Sequence, residues 1–325
     1  MKTALLIVFN RPELTSNILE VLKRSDLNKL YIYGDGPRKG NLNDLNKIDE
    51  VWKVIETRSY PFEIIFRRNS KNSGCGKNVF EAITWFFDQE DEGIIIEDDL
   101  EFEPDTLTLM DYLLTGFKTC KEIGSVTCSN FVPREHLEPT EAPFYFSAYT
   151  RSWLWGTWKD RWQDFEFSNS NSWKPNLSLF KALQQGNLLS SIFWNRLYSS
   201  VEKRKLDTWD VQWHGFNQIH NYLTVVTKDN FVLHRGFGIA ATHTNNEKLP
   251  DWNPSYIERD YTKFSLVEFD KMERRIDKLA DAWMARNYFN ETVISWTRAL
   301  LAGIRVRLTP SKPKQIKLVK SKNVK

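Results

Sequence analysis

Strand-like and helix-like patterns alternate through the first hundred residues of this 325-residue chain. Apolar runs predict strands at 4–9, 30–33, 62–66 and 94–96. Between them, apolar residues recur at the three- and four-residue spacing of a helix face. A helical crossover is the usual connection between parallel strands. The order therefore predicts an α/β fold in which helices flank a mainly parallel central sheet.

Three consecutive carboxylates, Glu97, Asp98 and Asp99, follow the strand predicted at 94–96. Adjacent acids repel one another, so a positive charge is needed where they crowd at the end of a buried strand. Mg²⁺ and Mn²⁺ prefer oxygen ligands and are often held by one or two carboxylates together with substrate phosphates. Open α/β sheets bind ligands at this end of their strands. The sequence thus indicates a Mg²⁺ or Mn²⁺ site, with a solvated acidic turn before Pro104 as the alternative.

The cysteines and the hydropathy of the chain bear on its location. Cys75, Cys120 and Cys128 form neither a paired framework nor a metal-ligand spacing, which favours a reducing cytoplasm. No apolar stretch approaches the ~20 residues that cross a bilayer. The first apolar run is short, and Asn-Arg-Pro follows at 10–12 in place of a small-residue cleavage site. We therefore interpret this run as a strand and not as a secretion signal.

The second half of the chain has a less regular pattern. We predict, in order, a helix near 109, a strand at 126–128, a loop-like stretch at 130–150, a helix-rich aromatic stretch at 153–222, short strands at 223–227 and 231–234, and a helical stretch at 272–305. Thirteen tryptophans supply aromatic faces, which either fill cores or stack on sugar rings.

The acidic segment is similar to a motif of one enzyme family. Residues 97–101, Glu-Asp-Asp-Leu-Glu, followed by Pro104 and Asp105, resemble the acidic motif of glycosyltransferases of the N-acetylglucosaminyltransferase I type, with Glu103 as an additional acid. The resemblance covers roughly residues 3–245 and extends to bacterial surface-polysaccharide enzymes. It implies a GT-A fold and an inverting, metal-dependent glycosyltransferase. Such an enzyme would move a sugar, for example N-acetylglucosamine from its uridine diphosphate, to a hydroxyl of a surface glycan.

The resemblance also implies roles for the residues at the end of the first, second and fourth strands. Arg11 would contact the nucleotide diphosphate, and Asp35 would accept a hydrogen bond from uracil. Glu97 and Asp98 would contact the ribose, the donor sugar or metal-bound water. Asp99 would be the direct ligand of the metal, which would bridge the two phosphates. From the residues alone, Arg11 can also be a surface side chain at a helix start and Asp35 a turn former.

Lys77 and Asn78 are further candidates for the donor site. They open a helix after a glycine-rich loop at 73–76, and helix N-termini favour anions. The phosphates or the ribose could therefore lie at this point. The loop lacks the spacing of a P-loop, so an ATPase is not indicated.

Asp210 is the candidate for the catalytic base. The family's base lies in a Trp-Asp-Asp-Trp context, and this chain has Trp209 and Asp210 with Val211 in place of the second acid. A single base opposite the leaving phosphate implies direct displacement with inversion. A helix N-cap is the other role open to Asp210. Trp209 and Trp153 are candidates for an acceptor platform.

By the same resemblance, a late histidine would be a second metal ligand or would contact a phosphate. His243 is the first choice, because it follows a flexible Gly-Phe-Gly segment at 236–238, and His234 is the second. The alternative interpretation is that each of them is a surface or structural histidine.

Two other functions fit part of the pattern. A sugar-phosphate nucleotidyltransferase shares the α/β core and the acidic metal site. It should, however, show a glycine-rich basic signature after the first strand, where this chain has Asn-Arg-Pro-Glu at 10–13. A non-catalytic nucleotide-sugar-binding protein would not need the intact acids at 97–99 or Asp210.

The C-terminal residues differ from the rest in composition. We predict a catalytic domain at 1–250 (nucleotide-binding half 1–105, acceptor half 106–250), a helical extension at 251–307 and a basic tail at 308–325. Residues 301–325 hold eight lysines and arginines and no acid, and without them the net charge of +3 becomes −5. An amphipathic stretch before a basic tail predicts that 293–325 contacts the anionic inner face of a membrane, where a lipid could carry the acceptor glycan. A soluble, unstructured tail is the alternative, and the acidic body argues against nucleic acid.

Overall fold

An eight-stranded sheet with helices on both faces forms the centre of the protein, and six of its strands run in one direction. The structure is a computed structural model that describes residues 2–176, 188–236, 254, 257–264, 267, 269 and 272–289. The predicted α/β class, with a mainly parallel sheet flanked by helices, is confirmed.

The elements of the first half follow the predicted alternation closely. They are β1 (Thr3–Val8), α1 (Pro12–Lys23), β2 (Lys29–Gly34), α2 (Leu42–Glu56), β3 (Glu63–Arg68), α3 (Cys75–Phe87), β4 (Glu92–Glu97), β5 (Leu100–Phe102) and α4 (Thr106–Phe117).

The second half mixes short strands with helices. Its elements are β6 (Ile123–Thr127), β7 (Phe144–Ser147), β8 (Trp155–Trp158), α5 (Lys159–Trp162), α6 (Ser170–Trp173), α7 (Leu188–Glu202), α8 (Asp210–Ile219), β9 (Leu223–Thr227), β10 (Val232–His234) and α9 (Lys278–Trp283), which continues as a π-helical turn at Met284–Tyr288. Two 3₁₀ turns lie at Arg134–His136 and Thr262–Phe264.

The strand order places the ends of β1 and β4 side by side. The sheet runs β3-β2-β1-β4-β8-β6-β9-β7, and β3, β2, β1 and β4 are parallel neighbours. Ile7 of β1 pairs with Glu97 of β4, so the residues after both strands emerge at the same edge. β5 and β10 form a separate antiparallel pair, in which His234 lies opposite Leu100.

Two strands of the central sheet were not predicted from the sequence, and neither was β5 outside it. β7 lies within 130–150, expected to be a loop, and β8 lies within 153–222, expected to be helix-rich. Both strands are four residues long, too short for a period to emerge, and both enter the sheet antiparallel to partners far along the chain. In β8, Gly156 lies opposite Ile94, and a Cβ there would approach the Gly93 carbonyl oxygen to 3.0 Å. Long-range pairing therefore determined these two segments.

The core has two layers, one on each face of the sheet. In β1, Ala4, Leu6 and Val8 pack into one cluster, whereas Leu5 and Ile7 pack into the other. All five side chains are buried, as expected for a strand with helices on both sides. Burying one such side chain contributes about 1.5–3 kcal/mol, so the layers hold the carboxyl edge of the sheet rigidly.

Part of the predicted C-terminal extension packs onto the sheet. The Asp277 N–H donates to the Phe146 carbonyl oxygen (2.8 Å), and the Asp277 carboxylate caps α9 through the Ala280 N–H. Within the described residues the helix therefore begins at Lys278 and not at 272. None of the helices that the structure describes is both long and apolar enough to cross a bilayer. The predicted tail at 308–325, and residues 293–307 before it, lie outside the described residues.

Candidate functional site

Arg11, Asp98 and Asp99 meet at the carboxyl edge of the sheet, between β1 and β4. One guanidinium nitrogen of Arg11 donates to Asp98 Oδ1 (3.1 Å) and to Asp99 Oδ2 (2.5 Å). The backbone N–H of Phe9 donates to Asp98 Oδ2 (3.4 Å). Both carboxylates are buried, whereas Arg11 is partly exposed. The positive charge that the acidic segment requires is thus supplied in part by the chain itself.

Asp99 has an oxygen that no described residue satisfies. Its Oδ2 receives Arg11, and its backbone carbonyl oxygen accepts a hydrogen bond from the Arg235 N–H (2.7 Å). Its Oδ1 is buried and has no hydrogen-bond partner in the described part of the chain. Leaving such an oxygen unsatisfied costs about 1–3 kcal/mol or more for a charged group. The position therefore fits a cation or a donor that a ligand would bring.

His234 supports Asp99 from the other side. Its Nε2 lies 3.4 Å from Asp99 Oδ2, and its ring stacks on Trp153 (centroids 4.6 Å apart). The Gly236 N–H donates to Nδ1 (3.2 Å), which assigns the ring proton to Nε2, facing Asp99. Burial lowers the pKa of His234, against the opposite pull of Asp99. A Cβ on Gly236 would come within 2.2 Å of Asp99 Oδ2, so this close approach requires glycine.

The acids of this segment share a strongly negative environment. Burial raises the pKa of Glu97, and the charges of Asp99 and Asp98 raise it further. Burial likewise raises the pKa of Asp98, although Arg11 opposes the shift. Asp98 and Asp99 thus make the ionisation of Glu97 more costly, and Asp99 does the same for Asp98. A divalent cation would relieve this repulsion.

The donor set for such a cation centres on one residue. Among the described residues, no group of three or more His, Cys, Asp and Glu side chains is arranged to hold a metal ion. Asp99 has a buried oxygen without a described hydrogen-bond partner at this edge of the sheet, and His243 lies outside the described residues. Mg²⁺ is commonly held by one or two carboxylates, with waters and substrate phosphates completing its shell. The residues present fit a cation that binds together with a diphosphate.

Asp35 organises the loop that follows β3. Its Oδ1 accepts hydrogen bonds from the Gly36 and Ser73 N–H groups (2.9 Å each), and its Oδ2 accepts one from the Asn72 amide (2.7 Å). Burial raises its pKa, against these hydrogen bonds. A Cβ on Gly36 would approach the Lys71 backbone nitrogen to 2.4 Å. Asp35 therefore has the structural role of a turn residue, and its contact with a base stays a prediction.

The N-terminus of α3 binds an anion from the chain itself. Asp207 accepts hydrogen bonds from the N–H groups of Cys75 and Gly76, each at 3.0 Å. Lys77 is exposed and pairs with Glu81 (3.5 Å). The predicted preference for an anion is thus met by a carboxylate that the sequence did not reveal, because it lies more than 130 residues away.

Asn78 differs from its neighbour Lys77. It is buried in α3, and its Oδ1 is without a hydrogen-bond partner in the described structure. A cavity of about 770 Å³ opens beside the start of the helix, between Lys77, Phe167 and Asp207. A nucleoside has room there, although Asn78 does not line this cavity.

Asp210 begins α8 and does not act as its N-cap. The cap position is Trp209, which makes no side-chain capping hydrogen bond. The Asp210 Oδ1 accepts hydrogen bonds from the Val211 N–H (2.8 Å) and from the Thr208 hydroxyl. No described residue donates a hydrogen bond to Oδ2. The charge of Asp210 contributes to the raised pKa of Glu97, so the two carboxylates belong to one electrostatic site.

The aromatic candidates line a small cavity next to Asp210. Trp153 and Trp209 both contribute to its wall, and the enclosed space is about 60 Å³. Trp209 is buried and stacks on Trp155 (5.4 Å), whereas Trp153 packs edge-on against Phe131 (4.7 Å). The structure thus brings both tryptophans to the candidate base.

Several residues of this cavity were not singled out from the sequence, among them Arg151, His214 and Tyr288. Tyr288 comes from the C-terminal extension and stacks on Phe131 (5.0 Å). Burial raises the pKa of Tyr288 to about 12, and Asp210 adds to this shift. The sequence had pointed to this region through Trp153 and through the pair Trp209 and Asp210.

The buried His214 should make the protein sensitive to acid. Burial lowers its pKa from 6.5 to about 3, so the unfolded chain takes up this proton at a higher pH than the folded chain. The folded state therefore loses stability as the pH falls from 6.5 towards 3. His214→Phe removes the group that binds this proton and keeps an aromatic ring between Tyr149 and Trp194. From pH ~7 to ~4.5, we expect the free energy of unfolding to fall by about 2.5 kcal/mol less in the variant than in wild type.

Urea denaturation at both pH values measures this difference. Because each protein is compared with itself, the pH-independent effect of the lost Thr150 contact to His214 Nδ1 cancels. His136→Phe, at an exposed position, is the matched control. Its free energy of unfolding should change between the two pH values by the same amount as that of wild type. If the free energy of unfolding depends on pH equally in wild type and His214→Phe, the buried His214 is not the source of the acid sensitivity.

Comparison with known proteins leaves the family open. No protein-family model and no curated protein matches the chain. Among solved structures, it is similar to UDP-glucose pyrophosphorylase complexed with UDP-glucose (10% identity, TM-score 0.39) and to apo UDP-glucose pyrophosphorylase (11%, TM-score 0.39). Each likeness covers 70% of this chain and 90% of the other. A likeness with such low identities and TM-scores does not define the function of this protein.

Proposed function

We propose that the protein is an inverting, metal-dependent glycosyltransferase of the GT-A type, with a uridine diphosphate sugar as donor. The observation that carries the proposal is Asp99, a buried carboxylate at the carboxyl edge of the sheet with one unsatisfied oxygen beside a cationic Arg11. Carboxylate, guanidinium and strand end together suit a metal-bound diphosphate. The resemblance of residues 97–105 to the glycosyltransferase motif points the same way.

The chain's own residues would bind and orient the diphosphate. Arg11 is partly exposed and can turn a guanidinium edge towards phosphate oxygens while it stays beside Asp98. A divalent cation on Asp99 would stabilise the negative charge of the departing diphosphate. His234 would hold Asp99 in orientation through its Nε2–H, as carboxylate ligands are commonly held by outer hydrogen bonds. His243 stays a proposed further ligand.

Asp210 would act as the base for the acceptor hydroxyl. Its Oδ1 is held by Thr208 and Val211, which orients Oδ2 for a substrate. As the hydroxyl oxygen bonds to the anomeric carbon, its proton passes to Asp210, and the bond between that carbon and the phosphate oxygen breaks. The nucleoside diphosphate leaves from the opposite face, so the anomeric configuration inverts. The acceptor would be a glycan, and contact of 293–325 with an anionic membrane belongs to the same proposal.

Nucleotide binding tests the proposal directly. With Mn²⁺ present, UDP and UDP-N-acetylglucosamine should raise the melting temperature of the full chain, and without the metal the shift should be much smaller. Supplied with UTP and a sugar 1-phosphate instead, the protein should release no pyrophosphate. Release of pyrophosphate would establish a nucleotidyltransferase. The absence of any metal-dependent shift across the nucleoside diphosphates would exclude the donor site described above.

A further inference from the structure

β3 lies at one end of the central sheet, and within the described structure it pairs only with β2. The N–H groups of Glu63 and Asn69 donate inwards, to carbonyl oxygens in or next to β2 (3.2 and 2.9 Å). Backbone groups alternate between the two sides of a strand, so those of Ile64, Phe66 and Arg68 point outwards. These outward N–H and C=O groups have no hydrogen-bond partner in the part of the chain that the structure describes.

The opposite end of the sheet is covered by the chain itself. The end strand there, β7, is buried, and Phe146 forms a bridge to Ile276 of the C-terminal extension. The Asp277 N–H adds a hydrogen bond to the Phe146 carbonyl oxygen (2.8 Å). Proteins usually shorten, bulge or cover an end strand, because its free backbone groups can pair with another chain. With six residues and a regular register, β3 is neither short nor bulged.

Large apolar side chains are exposed on β3 and on the helix that contacts it. Phe66 is 53% exposed, and its ring lies 5.6 Å from that of Trp52 in α2. Leu42 and Leu45 of α2 are 74% and 40% exposed. Elsewhere in the described residues, Leu279 alone is an exposed large apolar side chain. Such a concentration of apolar surface is typical of a protein–protein contact.

The sequence of β3, Glu-Ile-Ile-Phe-Arg-Arg, is complementary to itself. When a second copy of the strand runs antiparallel with Ile65 opposite Ile65, each Glu63 lies opposite an Arg67. Each Ile64 then lies opposite a Phe66. Opposite charges and apolar pairs at facing positions stabilise antiparallel strands. A two-fold axis produces each of these pairs twice, so the matching partner for this edge is a second copy of the chain.

The two facing charges are available for a partner. Glu63 is 62% exposed and lies 3.9 Å from the Lys29 Nζ, at the limit of an ion pair. Arg67 is exposed and makes no ion pair among the described residues, and its guanidinium lies over the Tyr33 ring (5.6 Å). Arg68, by contrast, already forms an ion pair within its own copy. The pairing of Glu63 with Arg67 therefore breaks no strong contact.

Other two-fold registers lose this match. Side chains alternate between the faces of a sheet, so the pairing can shift only in steps that keep facing residues on one face. The next register in one direction places Arg67 opposite Ile65 and Arg68 opposite Ile64. A further step places Arg67 opposite Arg67, whereas a step in the other direction places Glu63 opposite Ile65. The charges of β3 thus oppose unspecific pairing and favour a single register.

We propose that two copies of the chain pair antiparallel through β3 and join their sheets across a two-fold axis at Ile65. The outward N–H and C=O groups of Ile64 and Phe66 form the hydrogen bonds between the copies, and both α2 helices lie on the same face of the joined sheet. The axis reverses the strands of the second copy, so the two candidate sites lie at opposite edges. Dimerisation is therefore independent of the proposed function.

Sedimentation of the full chain at micromolar concentration tests the pairing. The wild type should sediment at twice the mass of one chain. Glu63→Arg alone, or Arg67→Glu alone, places like charges at both facing positions and should weaken the dimer about tenfold or more. The double variant restores opposite charges and should regain the dimer. Glu135→Arg, at an exposed acid outside β3, is the matched control and should leave the dimer unchanged.

A cysteine at the axis gives an independent test. In the proposed register Ile65 faces its own copy in a non-hydrogen-bonded pair, whose Cα atoms are about 4.5 Å apart and within reach of a disulfide. In a Cys75→Ser background, which removes the exposed cysteine, Ile65→Cys should form a linked dimer under mild oxidation. Ile64→Cys is the matched control and should stay unlinked, because its own copy lies two residues further along, beyond about 7 Å.

A wild type that sediments as a monomer would overturn the pairing and leave the edge of β3 to another extended segment. A dimer that persists in both single charge variants, or equal linking of Ile65→Cys and Ile64→Cys, would place the interface elsewhere. Should a charge variant fail to fold by circular dichroism, the linking experiment decides. Titration with UDP and Mn²⁺ separates the two proposals, because a wild-type dimer that binds no UDP would remove the donor assignment alone.

Discussion

Asp210→Asn is expected to lower the rate of sugar transfer by about 100- to 10,000-fold, the usual contribution of a positioned general base. The amide is close in shape to the carboxylate but cannot accept the hydroxyl proton. The contacts of Oδ1 to Thr208 and Val211 place the side chain, and the amide oxygen can keep both of them. The fold and the start of α8 should therefore persist while the chemistry is lost.

Two measurements distinguish loss of the base from loss of the donor site. The affinity for UDP with Mn²⁺ should stay within about threefold of wild type, because Asp210 makes no contact with Arg11 or Asp99 in the described structure. Transfer should be followed with a labelled donor, including slow hydrolysis when no acceptor is present. Asp164→Asn, at an exposed carboxylate, is the matched control and should transfer normally. Wild-type transfer by Asp210→Asn would remove Asp210 as the base.

The sequence predicted the nucleotide-binding half well, because its information there is local. Each of β1 to β4 is an apolar run, and the helices between them carry their own periodic faces. Parallel pairing then follows from the connections, and it brings Arg11 after β1 next to Asp98 after β4. For this reason Arg11 and the acidic segment could be assigned to the same edge of the sheet without coordinates, whereas their ion pair was not predicted.

The second half could not be predicted in the same way, because it is determined by distant partners. β8 is four residues that become a strand only between β4 and β6. Asp207 reaches the N-terminus of α3 from more than 130 residues away. Arg151 looks like any other arginine in the sequence, although it is buried in the folded protein. The burial of such a side chain is a property of the assembled fold.

Asp99→Asn tests the metal site. We expect it to weaken the binding of UDP in the presence of Mn²⁺. Changes to residues that only support a metal ligand typically cost 10–100-fold in metal affinity or activity, and a direct ligand should cost no less, so we expect a loss of about 100-fold or more in Mn²⁺-dependent UDP affinity. The side chain keeps its shape beside Arg11 and His234 but loses the charge that attracts the cation. The substitution weakens the ion pair with Arg11 but relieves repulsion on Glu97 and Asp98, so the free protein should stay close to wild type in stability.

The combination of these two effects identifies a binding carboxylate. A purely structural acid would lose stability on substitution and would leave the metal dependence unchanged. Asp105→Asn, at the exposed end of the same acidic segment, is the control and should alter neither quantity. Titration of UDP at several Mn²⁺ concentrations gives the metal dependence, and urea denaturation without ligand gives the stability. If Asp99→Asn binds UDP with an unchanged Mn²⁺ requirement, Asp99 is not a metal ligand. Arg11 alone would then neutralise the acidic side chains, and the strand end would be a structural ion-pair cluster without a metal.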